Sequence, residues 1–468
     1  MKRLLVLPLV CICTNALAQK TWTLKQCIDT AIANNITIQQ SSFQVERDAA
    51  SLKQSKANRL PDVNGVFNFG GSRGRSIDPF TNSFVDQAFN NSYTQLNATL
   101  PIYSGGQIQQ TIAQNKELLN ASKMDLQQAK DNITLNVIAA YLAILNNEDQ
   151  LVVSKNQEEV AAKQVERLQI VAGEGAVAPY TLTDLKGERA SNKVAVVNAG
   201  NALEQSKITL TRLMNIPYNT PIELSRQEVD LTMANYDKSS PEVYSEALTN
   251  MAQVKAADFR TLAAERSIKV ARGGLFPYVS LGGGLGTSYS SAATKYTVLN
   301  EFFAASENYV ISNGSQLPVY TKQQNKSQDE FGFGTQYNNN LNAQFGLNVQ
   351  IPILSRLSVR NKITQAKINR NEAQALTNNT KVQLQQDVEQ AHQNMVAAFN
   401  RYKILNEQVE ALKESFRAAE VRFNNGVINS AEYIVIKNGY DRSVVNFTQA
   451  GYEYVLRTRI LDYYRGKL

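Results

Sequence analysis

A single histidine, His392, and three cysteines, Cys11, Cys13 and Cys27, are the chain's whole stock of imidazole and thiol ligands. Zinc sites need three or four such side chains brought together and His-dependent catalysis needs a partnered imidazole, so with Cys11 and Cys13 in the apolar N-terminal stretch almost nothing is left from which to build either. Gly282-Gly283-Gly284-Leu285-Gly286 has the glycine density of a phosphate cradle. Strand-like residues and Ser288-Tyr289 follow it, however, where a phosphate loop would open a helix, and small residues inside a strand account for it better. Lys and Arg number 48 against 41 Asp and Glu, a net charge of +7, and they are scattered rather than grouped with aromatics. That leaves no nucleic-acid footprint. With no convergent polar constellation, the chain is expected to be no enzyme, with no catalytic residues and no cofactor.

The 468 residues, 43% hydrophobic and 19% charged, describe a folded protein. No run of about 18 apolar residues could serve as a membrane-spanning helix. Residues 1–18 read as an export signal: Lys2 and Arg3, an apolar stretch from Leu4 to Cys13, and Ala16-Leu17-Ala18 before Gln19. Its removal would leave Cys27 alone, as a small packing residue.

The remainder is duplicated. Ala31-Ile32-Ala33-Asn34 and Ala247-Leu248-Thr249-Asn250 lie 216 apart, as do Leu60-Pro61-Asp62-Val63 and Phe276-Pro277-Tyr278-Val279. Further on, Leu96–Ile102 matches Leu347–Ile353 at an offset of 251, which Gly175 and Gly426 share. The step between offsets places a 35-residue insertion between Pro277 and Pro352. Residues 19–213 thus form a first repeat, 214–240 a connector and 241–468 a second repeat.

Each repeat holds a strand pair, at about 62–103 and about 278–353. Leu96, Ala98 and Leu100 alternate with Gln95, Asn97 and Thr99, and Phe345, Leu347 and Val349 alternate with Gln344, Gly346 and Asn348. A soluble antiparallel sheet would alternate in the same way. Residues 87–115, 273–294 and 331–355, however, contain no Asp, Glu, Lys or Arg. Together with the export signal and strand lengths near 9 to 11 residues, this marks Leu96, Ala98, Leu100, Phe345, Leu347 and Val349 as lipid-facing positions of a membrane barrel. The segments joining the paired strands, 75–91 and 291–338, are expected to be long, mobile, accessible loops outside the cell.

Helical hairpins fill the rest, at 104–213 and 354–465. Ile112, Leu119, Leu126, Ile133 and Ala140 recur every seven residues, and Leu384, Val388, Ala391, Met395, Ala398, Tyr402, Leu405, Val409, Leu412, Phe416, Ala419 and Phe423 keep an unbroken 4,3 spacing. Such seams predict supercoiled partner helices on the order of 100 Å long, with Gly175 and Gly426 at the turns. His392, beside Ala391, reads as a groove or surface residue. The fold class is therefore mainly α with a small β part. Four strands cannot close a barrel that starts at about eight, and an open edge in lipid leaves backbone groups unpaired, so the chain must oligomerise. Periodicity does not choose between a dimer and a trimer.

The Ala-x-x-Asn starts, the Leu-Pro before the strand, the duplicated strand pairs and the two Gly-turn hairpins together resemble the TolC family of outer membrane efflux proteins over nearly the whole mature chain. The resemblance implies a homotrimer whose twelve-stranded barrel, in contact with outer-membrane lipid of a Gram-negative cell, continues into an α-helical tunnel across the periplasm. It implies a passive exit duct docked to a periplasmic adaptor protein and an inner-membrane pump. A type I secretion duct on the same fold, or a periplasmic coiled-coil scaffold with a soluble β-domain, are the alternatives. By the same resemblance the tip turns, Glu174-Gly175-Ala176 and Asn425-Gly426-Val427, stand where the family commonly has Val-Gly-x, so Gly175, Ala176, Gly426 and Val427 become adaptor-docking positions. The type member narrows its tunnel with acids six and nine residues beyond the second glycine. Glu432 fits the first place and Val435 departs at the second, while in the first repeat the ninth place is Asp184. Three Glu432 carboxylates would form a cation-favouring ring. Phe423 and Ile428 stand where the type member has a tyrosine and an arginine that hold it closed, so that gate network does not carry over intact.

Overall fold

The computed structural model describes residues 21–77, 82–173, 179–226 and 236–467. The export signal, the first tip turn with Gly175 and Ala176, and residues 227–235 of the connector lie outside them. The first repeat runs α1 (Leu24–Asn34), α2 (Ile36–Ala57), β1 (Asp62–Ser72), β2 (Arg75–Ile77), β3 (Phe84–Asp86), β4 (Phe89–Ser104), α3 (Gln107–Gly173) and α4 (Pro179–Met214). The second runs α5 (Ser240–Asn250), α6 (Ala252–Gly273), β5 (Tyr278–Ser290), β6 (Thr294–Ser312), β7 (Ser315–Glu330), α7 (Phe333–Asn339), β8 (Asn342–Gln350), α8 (Ser358–Asn424) and α9 (Ser430–Tyr464).

The duplication extends to the caps. Thr23 and Gln26 form a capping box at the start of α1, and Ser239 and Glu242 form one at the start of α5, 216 residues later. Each satisfies orphan N–H groups at a helix start. Both short helices end on an extended residue, Asn35 and Met251, before the next helix begins.

The chain divides into two compact units. The helical unit comprises residues up to Ala50, Asn115–Ala264 and from Asn369. It holds two equivalent cores. In one, Cys27, Ala31, Ile133, Val137, Ile144 and Leu210 are buried together. In the other, Val243, Ala247, Leu384, Val388, Met395 and Leu461 occupy the positions 216 or 251 residues on. Each Val, Leu, Ile or Met among them contributes roughly 1.5–3 kcal/mol when fully buried. Cys27 is therefore the counterpart of a valine, a packing residue. Of the apolar side chains that α8 buries, Leu384, Val388, Ala391, Met395, Ala398, Val409 and Ala419 belong to the 4,3 seam, and Ala366 lies before it begins. Tyr402 stacks on Phe447 and Phe399 packs on Tyr454, joining α8 to α9. His392 Nε2 donates to the Lys238 carbonyl at 3.1 Å, tying α8 to the end of the connector.

The sheet unit comprises Ser51–Gln114 and Glu265–Ile368. Its main sheet is antiparallel with strand order β1-β4-β5-β8. The expected loops are instead built structure: 75–91 contains the short β2–β3 hairpin, and 291–338 contains the long β6–β7 hairpin and α7. Asn313 and Gly314, both at positive φ, make the two-residue β6–β7 turn that right-twisted strands favour. The strand-to-helix corners repeat as well. Gly105 and Gly106 lie at φ +60 and +77, and a Cβ at Gly105 would stand 2.2 Å from the Gly273 carbonyl. At the equivalent corner Arg356 and Leu357 hold φ 48 and 64, a left-handed conformation costing about 1–2 kcal/mol per non-glycine residue.

Candidate functional site

The register turns the sequence alternation into two faces, because directly paired residues share a side of the sheet. On one side Val63, Ala98, Gly283 and Phe345 form a row, followed by Gly65, Leu96, Leu285 and Ala343. Leu100, Leu281 and Leu347 form the next row in the opposite direction. These side chains are open to their surroundings in the single chain: Phe345 is 92% exposed and Leu347 64%. A one-sided apolar band of this kind is stable only against something equally apolar.

The reverse side carries Asn64, Asn97, Gly284 and Gln344 in one row, and Val66, Gln95, Gly286 and Asn342 in another. Asp62, at the start of β1, is the one charged side chain of the main-sheet strands. A Cβ at Gly284 would lie 3.1 Å from Asn97 Oδ1 and 3.3 Å from Gln344 Nε2. Gly284 thus makes room for amides from both neighbouring strands, and Gly286 for that of Asn342. Among the described residues β1 and β8 each have a partner on one side only.

Helix α7 had no signal in the sequence reading. Its Tyr337 hydroxyl lies 2.9 Å from both Ser92 Oγ and Thr94 Oγ1, and Thr287 Oγ1 donates to the Tyr337 carbonyl at 2.7 Å. These hydroxyls continue the apolar face beyond Leu96 and Leu285, so α7 covers the band where it turns polar. Gln336, fully buried, accepts from the Ser290 N–H and donates to the Ser290 carbonyl, both at 2.9 Å. Tyr289, Phe333 and Tyr337 pack ring to ring at this end.

At the second tip Gly426 has φ +71, and its N–H bonds the Phe423 carbonyl at 3.0 Å while the Val427 N–H bonds the Arg422 carbonyl at 2.8 Å. This is a Schellman cap. A Cβ at Gly426 would meet nothing within 4 Å, so φ alone demands glycine there. Val427 is 65% exposed. Asn429 caps α9 by accepting the Glu432 N–H at 2.9 Å. The half-exposed Glu432 carboxylate, in the first turn of α9, lies 3.9 Å from Arg422 Nη2. Phe423 and Ile428 enter an apolar cluster with Ala419, Phe416 and Tyr433, and Phe423 stacks on Tyr433 at 4.6 Å. Burial pushes the Tyr433 hydroxyl above its ordinary pKa. Asp184 is exposed on α4.

Two polar clamps that the sequence reading missed hold the connector to the helices. Arg226 pairs with Glu148 and Asp149, and Asp149 accepts from the Tyr452 hydroxyl at 2.8 Å. Arg465 donates to Glu246 at 2.8 Å, and its Nη1 lies 3.4 Å from the Tyr236 hydroxyl. Among the described residues no group of three His, Cys, Asp or Glu side chains could hold a metal ion, and no helix is long and apolar enough to cross a membrane.

Residues 27–215 and 243–437 match a family model described as outer membrane efflux protein. The chain is 21% identical over 304 residues to the pyoverdine export outer membrane protein OpmQ of Pseudomonas putida, spanning 64% of this chain and 62% of that relative. In three dimensions it is similar to the CmeC outer membrane channel of Campylobacter jejuni, with TM-score 0.72 and 18% identity over 95% of this chain and 85% of that one. It is also similar to the outer membrane protein VceC of Vibrio cholerae, with TM-score 0.72 and 15% identity over 95% and 96% of the two chains.

Proposed function

The chain belongs to the outer membrane efflux protein family, and we propose that three copies of it form an exit duct through an outer membrane. The observation that carries this reading is the four-stranded sheet with an uncharged apolar side, a neutral amide side and two open edges. In hydrocarbon those edges must pair, and four strands are too few to close on themselves. Three copies supply twelve strands, with β1 of one chain beside β8 of the next. The apolar side then faces lipid through Leu96, Ala98, Leu100, Phe345, Leu347 and Val349, and the amide side lines the lumen.

The duct is passive, as the family resemblance implies, and the partner pump drives transport through it. A periplasmic adaptor docks on the exposed turns at Gly426 and Val427, and on Gly175 and Ala176 by the duplication, and couples the duct to an inner-membrane pump. Glu432 lies near the narrow end. The pyoverdine export named for the Pseudomonas putida relative supports small-molecule efflux over protein secretion. Native mass spectrometry of detergent-extracted protein and recordings in planar bilayers test the reading. A trimer with stepwise conductance is expected; a monomer released without detergent would overturn it.

A further inference from the structure

Where the main sheet meets the helices, the charge-free strands are bordered by cations alone. Residues 51–61, 266–277 and 355–368 hold ten Lys and Arg and no Asp or Glu. These segments are far apart in sequence and adjacent in the sheet unit. A Cβ at Gly273, which ends α6, would stand 2.4 Å from Gln107 Cγ of α3, and one at Gly274 3.4 Å from Val359 Cγ1 of α8. Arg59, between α2 and β1, lines a cavity with Ile108 and Gln109 of α3. Lys56, Arg59, Lys269, Arg272, Arg356 and Arg360 are exposed. In the helical unit Arg260 pairs with Asp125 and Lys381 with Asp258, but among the described residues none of the ten cations has such a partner. Cations gathered in this way repel one another unless an anionic surface meets them.

We propose that this basic collar binds the anionic phospholipid headgroups of the leaflet on the helical side of the barrel, with one lipid phosphate held at Arg59; the proposal rests on the barrel reading above. Position identifies the lipid. Tyr103 pairs with Val279 and Val279 with Val349, so Tyr103 stands on the apolar side at its helical end. Val279 and Tyr289 are ten positions apart on β5. At about 3.4 Å per residue and a tilt near 40° they span about 25 Å, the height of a barrel's lipid band. The cations follow directly, at the level of the headgroups. Phe276, Ile353 and Leu354, the last two 93% and 90% exposed, lie in the chain between the strands and these cations. Apolar, aromatic and basic side chains in that order seat a protein at a membrane interface. The Arg59 cavity, of about 420 Å³, also takes in Ile102 and Tyr103. Its guanidinium, phenol and amide supply donors for phosphate oxygens, beside isoleucines for the start of an acyl chain.

Native mass spectrometry of protein released from bilayer discs of equal phosphatidylglycerol and phosphatidylcholine tests this. The parent is expected to retain phosphatidylglycerol over phosphatidylcholine by about tenfold, and Arg59→Gln and Lys269→Gln each to lower that ratio about fivefold, the effect of one cation beside an anionic surface. Arg260→Gln, whose parent side chain is already paired, should leave the ratio unchanged. Equal retention of the two lipids by the parent, or a preference that survives both substitutions, would overturn the proposal. A preference abolished by excess inorganic phosphate at matched ionic strength would also overturn it, making the collar a site for free anions. The same spectra report the assembly. An intact trimer without lipid preference rejects this proposal alone, whereas a monomer withdraws the barrel reading and the proposal with it.

Discussion

Gly426 and Glu432 sit six residues apart and answer to different physics. A side chain at Gly426 has open space but the wrong backbone, so Gly426→Val should cost about 1–2 kcal/mol locally, paid in the turn rather than in packing. Trimer yield should persist while adaptor cross-linking falls, and unchanged adaptor capture would remove the tip from the docking surface. Glu432, half exposed beside Arg422, forms a pair worth about 0–1 kcal/mol. Glu432→Gln should therefore leave thermal stability nearly unchanged, while weakening cation selectivity and block by multivalent cations in single-channel recordings. If both electrical properties match the parent's, Glu432 is a solvated helix-face residue and Asp184 is the next position to substitute.

At the scale of elements, the sheet's two faces should differ in tolerance to charge. Leu347→Lys is expected to cost about 2–4 kcal/mol if it faces mid-bilayer, and Asn348→Lys, one residue on and on the amide side, far less. Urea unfolding in lipid vesicles measures both, and equal costs would reject the lipid-facing assignment. The α5–α9 contact predicts a pH dependence. The hydrogen bond from Arg465 holds Glu246 below its ordinary pKa of 4.5. A depressed carboxylate stabilises the fold above its unfolded pKa, and that contribution is lost as pH falls through the folded value. The thermal midpoint should drop more for the parent than for Glu246→Gln between about pH 6 and pH 3.5. Parallel drops would show that the pin contributes nothing. These elements also show what the sequence disclosed. The 4,3 seam of α8 was legible because one partner face imposes one period over many turns, and the strand alternation because a two-sided sheet permits no slip. The β6–β7 hairpin was hidden although Asn313-Gly314 is a strong turn signal, since register shifts at Val298/Asn300 and Ala305/Tyr309 break the alternation. Helix α7 has 7 residues, too few to show a period, and the Arg226 and Arg465 clamps join residues distant in sequence, which no local pattern records.

For the whole molecule, the duplication explains why one chain carries two helical hairpins and two strand pairs, with cores equivalent at fixed offsets. It also leaves the sheet open at β1 and β8, so the account stands on closure by other copies. Single cysteines scanned along β1, each combined with single cysteines along β8, test that closure directly when outer membranes are oxidised and run without reductant. The account predicts a register at which facing residues link all three chains covalently, with the yield alternating every second residue along the strand. Monomers at every register, from a protein otherwise folded and in the membrane, would contradict it.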